Sequence, residues 1–241
     1  MKVGDYLRRT REPRYSLLFA LPLLLLYEVL ALLLTGSAYA GVRNGADVLL
    51  KSLFVALGGP DGLVVFGLVL VGAGGFLVVK DLRRNRDLEG RLFVAMLGES
   101  LAYAALLGFV VGWLTSLVLA GPGLLAAGAG NLSLGQQLVI SLGAGIYEEL
   151  LFRVLLTGGL LWVLTAVLEW RRWVAVTTAV GLSAAIFSSF HYLGSLGDQF
   201  TVESFTYRLL AGIILSGLYV GRGLGVVAWT HALYDVMLAV A

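Results

Sequence analysis

Residues 137–168 read QLVISLGAGIYEELLFRVLLTGGLLWVLTAVL, and the only charges in this run are Glu148, Glu149 and Arg153, near its middle. A transmembrane helix needs about 20 predominantly apolar residues, so the stretch is long enough to cross a bilayer. An ionisable group at mid-bilayer costs at least about 2.5–3.5 kcal/mol. Such a cluster must be offset by partners, by water or by function. Glu149 and Arg153 stand at i and i+4 with the acid N-terminal, the favourable order for a helical ion pair. Glu148 projects about 100° away, given about 3.6 residues per turn, and lacks an obvious local partner. The two carboxylates thus divide into one structural and one chemical, the second placed to take a proton from water.

Apolar runs extend in both directions from this one. Ser16–Gly36, Leu63–Val79 and Leu92–Ala120 precede it; Val174–Leu193, Leu209–Val220 and a last run beyond the Gly221-Arg222-Gly223 turn follow. Val42–Gly58 carries Arg43, Asp47 and Lys51 and reads as an interfacial amphipathic helix, or as an eighth span. Loops are expected at Lys80–Arg91, which is charged, at Gly121–Gly135, which is uncharged and rich in Gly and Ala, and around the polar residues Asp198, Glu203 and Arg208. The expected fold is all-α, a polytopic transmembrane helix bundle of about seven spans, or eight, with one interfacial helix. It forms a single integral-membrane domain over 1–241, with N-terminal spans and loops in 1–136 and a motif-bearing half in 137–241. Ala38-Tyr39-Ala40 mimics a cleavage site, but the preceding apolar run exceeds a signal-peptide core, so the first helix reads as uncleaved.

Composition agrees. The chain is 59% hydrophobic and 13% charged, with a mean hydropathy of +0.91, against roughly 25% charged residues in a soluble domain. The absence of cysteine excludes disulfides and thiolate metal sites. The basic residues lie in short clusters between apolar runs, so nucleic acid is not an expected partner and the lipid bilayer is. With seven spans, the N-terminal arginines, the Lys80–Arg91 loop, Arg171, Arg172 and Arg222 share one side. The positive-inside rule then puts the N-terminus in the cytoplasm, and the chain's composition suggests a prokaryotic cell membrane.

Further polar groups fall inside apolar runs: Glu28, Glu99, Asp235 and both histidines, His191 and His231. Helical spacing puts Phe187 and His191 on one face, and His231 and Asp235 on another. A carboxylate base, an orienting imidazole and hydrogen-bond donors are the parts that hydrolyse an acyl bond with activated water. Glu28 and Glu99 are expected to line the same hydrated cavity or to cap a polar network between the first and third spans. Counting about 1.5 Å per residue puts Glu148 and His231 within a few Å of one level. His191 comes out about 10 Å too high on the same count.

Glu148-Glu149-x-x-x-Arg153, Phe187-x-x-x-His191 and His231-x-x-x-Asp235, in that order on separate apolar helices, resemble the CPBP (Abi) family. That family includes the CAAX prenyl endopeptidases of Ras-converting-enzyme type. The resemblance covers about Gln137 to Ala241. It implies an intramembrane endopeptidase in which Glu148 and His191 activate the attacking water, and His231 with residue 235 stabilises the oxyanion. Glu149 and Arg153 are implied as a supporting pair, and Phe187 as the residue that aims His191. Asp235 departs from the Asn of the prenyl endopeptidases; a deprotonated Asp donates no hydrogen bond, so it is either protonated or only orients His231. No cofactor is expected, since HExxH is absent; the alternative is zinc held by Glu148, His191, His231 and Asp235.

The implied partner is a membrane-associated peptide or a lipid-modified protein substrate. Two other function classes use the same residue types. An ion- or proton-coupled transporter buries acids and histidines too, although the chain shows no inverted repeat. A non-catalytic scaffold or bacteriocin-immunity protein would retain the motifs as structure.

Overall fold

A computed structural model describes residues 2–35, 42–119, 132–194 and 197–240. Among these residues the chain is helical, with no strand. A short amphipathic helix α1 (Val3–Thr10) precedes α2 (Pro13–Thr35). α3 (Gly45–Gly58) turns through Gly59–Asp61 into α4 (Gly62–Arg84), followed by α5 (Gly90–Leu119). The polar-centred run forms one rod, α6 (Leu134–Val167). α7 (Arg172–Phe190), α8 (Val202–Arg222) and α9 (Leu224–Val240) complete the bundle. The Ala38-Tyr39-Ala40 triplet and most of the Gly121–Gly135 loop lie outside the described residues.

All seven apolar runs are helices, but six are long and apolar enough to cross a membrane by themselves. The remaining one, α9, has 17 residues, about 26 Å of helix against a core of about 30 Å. It is nevertheless at the centre, packed against α2, α5, α6 and α8. Protein surrounds it, so its length is not set by the lipid. Its buried face, Val226, Val227, Ala228, Thr230, His231 and Ala232, joins two apolar cores. One holds Leu23, Tyr27, Ile146 and Tyr147; the other holds Leu107, Val111, Tyr207 and Leu215. α6 approaches α9 at Gly145, where a Cβ would lie 2.4 Å from the Cβ of Ala232 and 2.6 Å from the Ala228 carbonyl oxygen. Only a residue without a side chain permits that separation.

Several expected boundaries move. Lys80–Arg91 is not one loop: α4 continues to Arg84 and α5 begins at Gly90. Charge is satisfied at the helix ends by Arg14–Asp81 at 3.0 Å and Arg9–Glu89 at 2.6 Å. Glu203 and Arg208 are helical rather than loop, because Thr201 caps α8 by accepting from the Ser204 amide at 3.1 Å. α3 also departs from a surface helix. Its polar residues Asn44, Asp47 and Lys51 face the bundle, while Val48, Leu49, Leu53 and Leu57 are exposed. A helix lying on a bilayer surface shows its charges to water; this one is turned the other way.

Within α6, the backbone of Ala144–Gly158 widens to π-type turns, a geometry that recurs at functional sites. The Phe152 carbonyl accepts from Thr157 Oγ1 at 2.8 Å and from Ser183 Oγ of α7 at 2.7 Å. The second of these bonds ties α7 to the charged segment of α6.

Candidate active site

Glu149 is the hub of the charged segment. It is fully buried, and its Oε1 accepts from His231 Nδ1 at 2.7 Å while Oε2 lies 3.1 Å from Arg153 Nε. The i, i+4 pair expected from spacing is therefore formed, and the same carboxylate also orients an imidazole of α9. The guanidinium of Arg153, equally buried, sits over the Phe187 ring at 4.4 Å from its centroid. Phe187 in turn meets His191 edge-on at 4.8 Å and His231 at 6.2 Å between ring centroids. One phenyl ring thus meets a guanidinium on its face and both imidazoles, bringing α6, α7 and α9 together.

His191 Nδ1 lies 2.9 Å from the Phe187 carbonyl oxygen. A carbonyl only accepts, so Nδ1 carries the hydrogen and Nε2 of the neutral ring keeps its lone pair. His191 directly follows the last residue of α7. Although the count along α7 puts it about 10 Å too high, His191 shares the Phe187 ring with His231.

Glu148 is buried and does have a partner, one remote in sequence. Asn44 Nδ2 donates to its Oε1 at 2.7 Å, and both imidazoles lie within its electrostatic reach. Asn44 escaped the sequence reading. Its helix-capping role is a recognisable N-terminal signal, but nothing local says which carboxylate it meets. Asp235 lies 3.6 Å from His231 Nε2, beyond a close hydrogen bond, and is partly exposed. His231 therefore sits between two carboxylates, Glu149 on one nitrogen and Asp235 beyond the other.

Glu28 and Glu99 do not share a cavity or bridge the first and third spans. Glu28 accepts from Tyr147 at 2.5 Å and from Lys51 at 2.8 Å, with Arg43 at 3.4 Å. Glu99 accepts from Arg222 at 2.6 Å and from Tyr6 at 2.6 Å, fastening α1 to α5 and α8. Each acid is neutralised by a cation from another helix.

Glu148, His191, His231 and Asp235 do not converge as metal ligands in this arrangement. Among the described residues no three His, Asp or Glu groups stand so as to hold an ion. His231 Nδ1 is taken by Glu149 and His191 Nδ1 by a carbonyl, which leaves the Nε2 of each ring open.

Residues 130–237 match the family model described as Rce1-like, type II CAAX prenyl endopeptidase, the group that the three motifs resemble. No curated protein and no solved structure matches the chain. The match supports an intramembrane endopeptidase at family level, and the helices make the chain an integral, multi-pass membrane protein.

Proposed function

We propose that the Rce1-like domain hydrolyses a peptide bond of a membrane-associated or lipid-modified peptide, using water activated by Glu148 and His191. The observation that carries this reading is that His191 and His231 both meet the Phe187 ring and that both lie within the electrostatic reach of buried Glu148. Water held between the free oxygen of Glu148 and His191 Nε2 gives one proton to Glu148, and the hydroxide adds to the scissile carbonyl. His231, flanked by Glu149 and Asp235, can carry a hydrogen on each nitrogen. An Nε2–H so placed is a donor for the tetrahedral oxyanion. When the C–N bond breaks, the proton on Glu148 passes to the departing amine. Asp235 then serves to orient His231.

The test compares membranes bearing wild type and Glu148→Gln for new peptide termini, and assays both purified proteins on a prenylated quenched peptide. Loss of cleavage in a folded Glu148→Gln or His191→Ala variant supports the reading. Unchanged cleavage overturns it, and substrate flux into proteoliposomes without cleavage favours a transporter. We propose glutamate chemistry without metal: chelator-treated enzyme retains activity, whereas stoichiometric zinc that restores lost activity would replace this scheme. The clustered arginines support a cytoplasmic N-terminus, which protease accessibility of residues 2–10 in sealed vesicles tests.

A further inference from the structure

We infer that Asn44, outside the matched residues 130–237, is the positioning residue that selects which oxygen of Glu148 reacts; the inference rests on the hydrolase reading above. The amide of Asn44 has one acceptor and one donor group, and both are committed. Oδ1 accepts from the Ala46 amide at 2.9 Å, capping α3, and Nδ2 donates to Glu148 Oε1 at 2.7 Å. Because a backbone N–H can be met only by an acceptor, the cap fixes which end of the amide faces inward. The donor is thereby aimed at Glu148. Oε1 is occupied, and Oε2 is left to take the proton from water.

Three contacts keep Asn44 in place. Its backbone N–H lies 3.4 Å from Tyr27 Oη, which itself donates to Asp47 Oδ2 at 2.6 Å. Asp47 is held by Arg43 at 2.8 Å and Lys51 at 2.7 Å, so the first turn of α3 is locked by ion pairs. On α6, a Cβ at Gly143 would lie 2.6 Å from Asn44 Cβ and 2.7 Å from Tyr27 Cε2. The glycine makes room for Asn44 five residues before the carboxylate it holds. The inward polar face of α3 and the bare surface at Gly143 thus have one common outcome, a fixed carboxylate.

The experiment separates cap from donor. Asn44→Ser and Asn44→Thr both keep an oxygen for the Ala46 amide, on side chains one heavy atom too short to bring a donor to Glu148. The expected result on the prenylated quenched peptide is a kcat lowered about 10- to 100-fold, the rate equivalent of one hydrogen bond to a charged group. KM should stay unchanged, since no substrate contact is removed, and the melting temperature should stay near wild type. A folded Asn44→Ser with wild-type kcat overturns the inference, as does a loss confined to KM. Where neither variant folds, the cysteine-free chain permits a second test. Asn44→Cys/Glu148→Cys should be joined by a short bifunctional thiol reagent, and a folded double variant that is not joined also overturns the inference. A Glu148→Gln enzyme that still cleaves sinks the hydrolase reading itself. A dead Glu148→Gln beside a fully active Asn44→Ser sinks only the role of Asn44.

Discussion

His231 Nδ1 and Glu149 Oε1 are 2.7 Å apart across the α6–α9 interface, and the other oxygen of the same carboxylate faces Arg153. One buried anion therefore serves two cationic or donor groups. Removing it leaves both without a counterpart, and a broken buried ion pair costs about 3–5 kcal/mol. Glu149→Ala should lower the unfolding free energy by about that amount. Arg153→Met in the same chain should recover part of the loss, because no uncompensated guanidinium then stays buried. Thermal unfolding in detergent of the two single variants and the double variant measures the coupling.

Glu148→Gln is expected to behave differently. Its side chain keeps an oxygen that can accept from Asn44, so packing survives while the proton acceptor is lost. Cleavage should fall by about 10²–10⁴-fold, the usual contribution of a positioned general base, at an unchanged melting temperature. Circular dichroism melts run beside the peptide assay separate the two neighbouring glutamates by phenotype.

Phe187 touches Phe152, His191, His231 and the Arg153 guanidinium at once. Phe187→Ala should cost about 3–5 kcal/mol from the cavity alone and release both imidazoles. Phe187→Leu restores volume but offers no aromatic face to Arg153, so its stability should lie between the two. Urea or heat unfolding of the three proteins gives the order directly.

Gly145→Ala introduces a methyl 2.4 Å from that of Ala232. The helices must separate, carrying His231 away from Glu149. We expect a destabilisation of about 1–3 kcal/mol together with reduced cleavage. Ala232→Gly in the same chain, which opens space on the facing helix, should return part of both.

The Arg9–Glu89 pair links the N-terminal segment to the turn before α5. The hydrogen bond from Arg9, then that from Arg91, holds the Glu89 carboxyl below its ordinary range. A depressed carboxylate stabilises the folded arrangement above its ordinary pKa, and that contribution is lost as pH falls through the lowered value. Amide exchange in residues 3–10, corrected for intrinsic rates, should therefore show less protection at pH 3 than at pH 6. Glu89→Gln should abolish the difference.

What could be read from the residues follows the range over which sequence acts. Membrane residence, the helical runs and the Glu149–Arg153 pair all depend on neighbours within a few turns, and each is present. The polar connections are shorter than their charge implies, because capping by Thr201 and ion pairing of Arg9 and Arg14 extend helices into charged sequence. The inward turn of α3 is not legible locally, because Arg43, Lys51 and Asn44 find partners on α2 and α6 as well as within their own segment.

Hydrophobic length and helical spacing are local properties, so the residues alone specify a bundle of lipid-embedded helices with carboxylates and imidazoles among them. That Asn44 holds Glu148, that Glu149 faces His231 and that Glu28 and Glu99 are neutralised separately emerges from helix packing. Those outcomes depend on which helix faces come within hydrogen-bonding distance. That is set by close approaches such as Gly145 against Ala232, and no spacing along one helix specifies it.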